Sequence, residues 1–175
     1  MPVLSVQGAA ITAKGQWDYL ITTLRAETAA GHRLVGVNYV GKAFQLWNEN
    51  PPAIGVQLKR CTKTRLATSR RLMTSTFWIV IGVQSTAASA AAHMGANTPP
   101  NLEDAMAILE PFVGDASGNG IIPILDDQTN YNMGGYAMTT LSGDVEYDWD
   151  IKPGNAPQIW AYAQISLTAQ AEVLI

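Results

Sequence analysis

The sequence predicts an α+β fold: a mostly antiparallel sheet with a long β-hairpin, and two helices packed on one face of that sheet. The first observation is Thr76–Gln84, the most continuous apolar run, whose β-branched and aromatic residues favour a strand. The second is the alternation of Ile54, Val56 and Leu58, which predicts its hairpin partner. The third is the clear alternation of Gln158–Thr168, which predicts another strand.

Two helices are predicted from apolar residues at helical spacing. The first is expected within residues 11–30, with Thr12 as N-cap and Gly31 as its stop. Its apolar stripe consists of Trp17, Leu20, Ile21 and Leu24. Asn101 is expected to cap the second helix, and Pro111, which lacks a backbone donor, is expected to end or kink it. Its buried stripe consists of Leu102, Ala105, Met106 and Leu109.

The segments between these elements give weaker patterns. His32–Val40 is expected to form a strand, and Ser85–Ala96, rich in Ala and Ser, is expected to be a loose helix or a mobile linker. Residues 136–151 are interpreted as an extended pair that turns at Ser142-Gly143. The whole chain, residues 1–175, is predicted to be a single domain in which residues 114–150 are an irregular insertion.

Composition restricts the classes of protein that fit. Charged residues make up only 14% of the 175 residues, which is typical of a surface covered by partners or solvated by Ser, Thr, Asn and Gln. The net charge of −3 gives no general argument for nucleic-acid binding. The single cysteine, Cys61, excludes an intramolecular disulfide and suits a reducing cytosol. With no cationic leader and no apolar run near ~20 residues, the chain is expected to be soluble and not secreted.

Charge is divided unequally along the chain. Six of the 11 basic residues lie in the connection between the hairpin strands, with no acidic residue among them. They are Lys59, Arg60, Lys63, Arg65, Arg70 and Arg71. Ten of the 14 acidic residues lie in residues 103–150, and four of these alternate along one predicted strand face. They are Asp144, Glu146, Asp148 and Asp150.

Three interpretations of the basic cluster remain open. Its side chains are simply solvated, or they face a phosphate backbone without sequence readout, or they dock onto the acidic strand of a neighbouring identical subunit. A contact between two different patches of identical subunits closes into a ring when its rotation permits. No aromatic residues are interleaved with these bases, so a stacking platform for single strands is not expected.

Sequence motifs for catalysis and for metal or cofactor binding are weak. His32 and His93 have no second ligand at metal-binding spacing, and no nucleophile elbow, phosphate loop or dinucleotide fingerprint occurs. Asp115–Asp126 resembles an EF-hand calcium loop, but it has the shorter Asp at its last position and Pro123 where the exit helix should begin. A Gly/Asn turn is the favoured interpretation. The sequence therefore predicts no enzyme, no cofactor and no metal site.

The order of elements resembles the tail terminator (tail completion) proteins of long-tailed bacteriophages. That order is an amphipathic helix, a strand, a proline-bearing turn, a long hairpin, a second helix and a closing strand. The resemblance rests on five stretches of the sequence, which together span most of the chain. They are Trp17–Leu24, Pro52–Gln57, Phe77–Ile81, Leu102–Leu109 and Gln158–Ile165.

The resemblance implies a structural virion protein. It implies a homohexameric ring that caps the tail tube, stops its polymerisation and joins the tail to the head-side connector protein. DNA would pass through the lumen without sequence readout, and no membrane would be involved. The location would be the tail–connector junction of the virion, and the host cytoplasm during assembly. Another head–tail joining or tail tube component is the nearest alternative, and a calcium-binding module or enzyme using Asp115–Asp126 is a more distant one.

Overall fold

A computed structural model of the chain describes residues 11–42, 49–152 and 158–174. Its helices are α1 (Ala13–Ala26), α2 (Ala87–Met94), α3 (Leu102–Val113) and α4 (Ile121–Leu125), followed by a 3-10 turn at Met133–Gly135. Its strands are β1 (Tyr39–Gly41), β2 (Ala53–Ala67), β3 (Arg70–Ser85), β4 (Thr139–Lys152) and β5 (Gln158–Leu174). The residues of the sequence predictions that fall within 1–10, 43–48, 153–157 and 175 lie outside these ranges.

The strands form one sheet in the order β1-β2-β3-β5-β4. The short β1 runs parallel to β2, and every other neighbouring pair is antiparallel. This arrangement confirms the predicted α+β class and the long hairpin, whose strands β2 and β3 are joined through residues 68–69. The sheet is mixed because of the single parallel pair.

The central strand β3 places its two faces in different surroundings. Phe77, Ile79, Ile81 and Val83 are fully buried and form one core with residues of α1, α3 and α4. This face is called the helix face below. The opposite face, called the open face, carries Trp78 and Val80, which are only partly buried. Burying a side chain such as Phe77 stabilises the fold by about 1.5–3 kcal/mol, so the helix face holds the domain together.

Both predicted N-caps are confirmed. The Thr12 hydroxyl accepts a hydrogen bond from the Gly15 N–H at 3.0 Å, and the Asn101 side chain accepts one from the Asp104 N–H at 2.9 Å. The helix ends are less well predicted. Helix α1 stops at Ala26, before Gly31, and α3 continues past Pro111 to Val113. Pro111 has no N–H to donate to the Ala107 carbonyl, so the helix lacks that one bond and ends two residues later.

The predicted strand His32–Val40 is wrong over most of its length. The chain instead forms successive turns, and only its end enters β1. The Leu34 N–H donates to the Glu27 carbonyl at 2.8 Å, and the Arg33 guanidinium lies 2.7 Å from the Glu27 carboxylate. These bonds fold the segment back on the end of α1. Leu34 is buried as expected, but Val35 is 55% exposed.

The prediction for residues 114–150 is also corrected. Residues 139–150 are not irregular, and they do not turn at Ser142-Gly143; they belong to the continuous edge strand β4. The glycine marks a bulge between Ser142 and Val145. A Cβ on Gly143 would lie 2.3 Å from the Ser166 hydroxyl, so glycine permits this close approach. The apolar Ile121–Leu125 forms helix α4, and the Ala/Ser-rich segment forms helix α2, begun by a Thr86–Ser89 capping box.

Candidate assembly surfaces

The six predicted basic residues lie together at the far end of the hairpin, which we call the basic end. The pleat divides them between the two faces of the sheet. Lys59, Arg60 and Arg70 lie on the open face, because they pair with or contact open-face residues such as Trp78 and Thr76. Lys63, Arg65 and Arg71 lie on the helix face, beyond the helices. The sequence therefore predicted the cluster but not its division.

Two members of the basic end have partners within the subunit. Arg70 forms an ion pair with Glu172 at 3.0 Å, and the Lys59 ammonium lies 3.8 Å from the centre of the Trp78 ring. Within the described residues, the other four form no ion pair with an acidic side chain. They are Arg60, Lys63, Arg65 and Arg71. The basic end thus carries positive charge that the acidic side chains of the described residues do not neutralise.

A small second core packs within the basic end. Met73 of β3 packs with Ala171 and Val173 of β5 and with Ile11, and all four are buried. Strand β4 begins opposite Gln170 of β5. Beyond that point the described part of the sheet consists of β2, β3 and β5, which form a three-stranded projection. The cations are therefore carried on ordered strands and not on a loop.

The acidic residues of β4 form a stripe on the open face. Glu146, Asp148 and Asp150 alternate along the strand and pair with Gln164, Tyr162 and Trp160 of β5. The predicted shared face thus holds for these three residues. Asp144, also predicted there, lies in the bulge and outside the regular alternation.

The acidic stripe lies beside Tyr162 of β5 and affects the pKa of its hydroxyl. Its hydroxyl is buried without a hydrogen-bond partner among the described atoms, and its ring stacks on Trp160 at 5.9 Å between centroids. Burial, together with the negative charges of Asp150 and Asp148, raises the pKa of Tyr162 to about 12. The acidic stripe therefore creates a local field that favours an approaching cation.

The other side of β4 carries an apolar stripe that the sequence analysis missed. Tyr147, Trp149 and Ile151 alternate on the helix face and are 43%, 57% and 57% exposed. The alternation itself is visible in the sequence, but only the structure shows that the helices leave these three side chains largely exposed. An edge strand with one acidic side and one exposed apolar side is typical of a contact surface.

The basic end and the acidic stripe lie at opposite ends of the sheet. Through the strand pairings, Arg60 is level with Thr168 of β5, whereas Asp148 is level with Tyr162. Six residues of β5 separate these levels, a distance of about 20 Å at 3.4 Å per residue. Arg60 is therefore too far from the acidic stripe of the same chain for direct contact.

The calcium-loop hypothesis receives no support from the geometry. The Asp115 carboxylate accepts hydrogen bonds from the N–H groups of Ser117 and Asn119 at 2.8 and 2.9 Å, and bonding to Asn119 holds its pKa below the usual range. Asp126, at the other end of the loop, instead accepts a hydrogen bond from the Ser142 hydroxyl at 2.6 Å. No group of three metal-ligating side chains occurs in the described ranges. The segment is a turn closed by its own carboxylate.

Asp127 also has a local structural role. Its carboxylate accepts hydrogen bonds from the Thr129 N–H and hydroxyl and pairs with Arg33 at 2.9 Å. These bonds, those of Thr129 first, lower the pKa of Asp127 to about 2. Because Arg33 also binds Glu27, the cluster joins the end of α1 to α4.

A buried polar cluster around Asp104 was not predicted. Its carboxylate is fully buried and accepts hydrogen bonds from the hydroxyls of Ser85 at 2.5 Å and Ser89 at 2.6 Å. His93 Nδ1 lies 2.6 Å from the second carboxylate oxygen. Burial alone would raise the pKa of Asp104, but the bonds from Ser85, Ser89 and His93 hold it below its ordinary value.

This cluster has the residue types of a catalytic triad but not its geometry. In nucleophilic catalysis the serine must contact the imidazole nitrogen that is not bound to the carboxylate. Here both serine hydroxyls donate to the Asp104 carboxylate itself, and His93 contacts that same carboxylate through Nδ1. The cluster therefore fastens α2 to the start of α3. His32, the other histidine, lies 3.6 Å from Glu27.

No model of a known protein family matches this chain, and no curated protein matches it either. Among the helices of the described residues, none combines the length and apolar character needed to span a bilayer. The candidate surfaces therefore have to be interpreted from their own geometry and charge.

Proposed function

We propose that this chain is a structural phage protein that forms a ring at the end of the tail tube. The ring ends polymerisation of the tube and joins the tail to the head connector, without catalysis and without a cofactor. It assembles from copies of the chain in the host cytoplasm and remains at the tail–connector junction of the virion. The tail tube protein and the head-side connector are its other partners, and DNA passes through the lumen.

The observation that carries this proposal is the separation of opposite charges on one rigid sheet. The basic end and the acidic stripe are about 20 Å apart along the strands, and among the described residues the outer edges beside them pair with no further strand. Two different, complementary patches favour head-to-tail contacts, which close into a ring when the rotation between copies permits it. A chain with so few charged residues would otherwise be expected to intersperse its charges over the surface.

The basic end has two candidate partners within this proposal. Arg60 lies on the same face as the acidic stripe, which favours contact with a neighbouring subunit over contact with DNA. Lys63 and Arg65 lie on the helix face. If the open face lines the lumen, these two are directed away from DNA, so subunit contact is favoured over phosphate contact.

The experiment is growth of tail tubes from purified tail tube protein with and without this chain. The wild-type chain should arrest growth and give short tubes with capped ends. A triple variant, Arg60→Glu, Lys63→Glu and Arg65→Glu, should lose both ring formation and arrest, because the change at Arg60 sets like charges opposite each other and the other two remove the remaining attraction.

Lys14→Glu is the matched control. Lys14 is 78% exposed, lies at the start of α1 outside the basic end and pairs with Asp18, so charge reversal there should leave capping intact. Capping by the triple variant at the wild-type level would refute the role of the basic end. Tubes that grow to full length with the wild-type chain would refute the function itself.

The nearest alternative is a tail tube or other head–tail joining component. The same free edges and opposite charges also suit rings that stack into a tube. The two functions differ in outcome: a terminator stops at one ring, whereas a tube protein alone forms long polymers. The calcium or enzyme alternative is disfavoured because Asp115 and Asp126 are bound to separate partners.

A further inference from the structure

We infer that neighbouring copies of this chain join edge to edge in one continuous sheet, displaced along the strands by about 20 Å. Arg60–Lys63 of β2 in one copy pair antiparallel with Val145–Asp148 of β4 in the next. This inference rests on the proposed ring and specifies its joint. The partner is a second copy of the chain.

Both edges needed for this joint are available. Residues 59–67 of β2 are exposed except for Thr62, and in the described chain they pair only with β3. Strand β4 pairs only with β5 in the same ranges, which leaves its outer N–H and C=O groups without strand partners. Exposed edges of this length are templates for a further strand.

The topology fixes the direction of pairing. Strand β2 is antiparallel to β3, β3 to β5, and β5 to β4, so β2 and β4 run in opposite directions. A neighbouring copy in the same orientation therefore presents its β2 antiparallel to β4. The joint continues the pattern of the subunit's own sheet.

Strand β1 excludes a joint without displacement. We call a joint in which the copies are not displaced along the strands the level arrangement. In it, Asp148 would lie opposite Ala53 of the next copy. That position of β2 is already paired with Tyr39 of β1. The acidic half of β4 would then collide with β1. Displacement by six positions moves it past β1, onto the free half of β2.

The same displacement matches charges and faces. Arg60 then lies directly opposite Asp148 on the open face, with Glu146 and Asp150 diagonally placed. Diagonal neighbours are about 7–8 Å apart, within reach of an arginine side chain. Cys61 lies opposite Tyr147 on the helix face, so no side chain is forced onto the wrong face.

The displacement also has the size that ring closure requires. One repeat from β2 to the next β2 contains four strands, or about 19 Å at 4.8 Å between strands. An offset of about 20 Å over that width inclines the strands by about 45° to the ring axis. Closed barrels need tilts of about 35–45°, whereas a joint without displacement gives none. The open face would then line the ring and the helices would lie outside.

The joint also covers part of the exposed apolar stripe of β4. Tyr147 lies opposite Cys61 of the next β2 and diagonally to Lys63 on the same face, whereas Trp149 lies opposite the bulge at Lys59. The aliphatic stem of Lys63 packs over the Tyr147 ring while its charged head stays in water. One contact thereby joins Arg60 to the acidic stripe and covers part of the apolar stripe.

The test uses the natural Cys61 as one half of an intersubunit disulfide. Cys61 is exposed, and the strand pairings place it level with Thr140 within the subunit. In the displaced joint, Tyr147→Cys should crosslink to Cys61 of the next copy, with loss of the monomer band in non-reducing electrophoresis. Thr140→Cys, the matched control, reports the level arrangement and should remain monomeric. Opposed strand residues have Cβ atoms about 4.5–5.5 Å apart, so a small local shift reaches the roughly 3.5–4.5 Å of a disulfide.

A second pair of cysteines tests the same joint independently, in case Tyr147→Cys fails to fold. In a Cys61→Ser background, Thr62→Cys combined with Glu146→Cys should crosslink on the open face. Crosslinking of Thr140→Cys, or of neither design while rings still form, would overturn this joint and leave the terminator proposal standing. Crosslinked rings that fail to arrest tube growth would support the joint and overturn the terminator function.

Discussion

Replacing Asp104 with alanine should lower the free energy of unfolding by about 3 kcal/mol. The change removes three side-chain hydrogen bonds to a fully buried carboxylate, from Ser85, Ser89 and His93. Ser85 is itself buried, and a buried donor left without an acceptor costs about 1–3 kcal/mol. Ser89 and His93 are more accessible and will partly regain water, so their two bonds add less than their full value.

Urea denaturation followed by circular dichroism at pH 7 measures this loss as a lower midpoint at an unchanged slope. Glu103→Ala is the matched control, because Glu103 is exposed in the same first turn of α3 and its removal should cost about 0.3–1 kcal/mol. If Asp104→Ala costs no more than Glu103→Ala, the cluster does not fasten α2 to α3.

The pH dependence of stability, compared between the wild-type chain and Asp104→Asn, provides a second readout. Because the folded pKa of Asp104 lies below its ordinary value of 3.8, its stabilising contribution is present above that pH. It is lost as the pH falls through the folded pKa. The wild-type chain should therefore lose stability more steeply on acidification than Asp104→Asn. Parallel acid profiles would contradict the assignment.

Three further predictions concern the fold. Phe77→Ala should cost about 3–5 kcal/mol in urea denaturation, because the fully buried ring leaves a cavity at the centre of the helix face. Asp127→Asn should flatten the loss of stability between pH 3.8 and about 2, because Thr129 and Arg33 lower the pKa of Asp127 to about 2; an unchanged acid profile would argue against this. Gly120→Ala should lower the melting temperature, since Gly120 has φ +102° and a Cβ there would lie 2.7 Å from backbone atoms. An unchanged melting temperature would mean that this turn relaxes easily.

The sequence predicts the centre of the sheet better than its edges. Thr76–Gln84 is a continuous apolar run of β-branched and aromatic residues, so tertiary contacts and local preference agree, and the strand is confirmed. His32–Val40 has the composition of a strand, but Glu27 and Arg33 hold it in turns through contacts that no local pattern reveals. Ser142-Gly143 has the residue types of a turn and forms a bulge instead, because β5 continues past it.

The candidate surfaces show the same limit. The basic and acidic residues are identified by composition alone, but their separation along the sheet depends on pairings that order the strands β2-β3-β5-β4. The cluster around Asp104 needs α2 and α3 to pack together before Ser89 and His93 approach it. Long-range register and helix packing are therefore the information that sequence patterns lack.

Electron microscopy of tail tube ends incubated with the purified chain tests the terminator function most directly. We predict a single ring seated on one end of each tube, with growth arrested there, and soluble rings of the same diameter in the absence of tubes. Isolated monomers beside bare, growing tube ends would contradict the proposal.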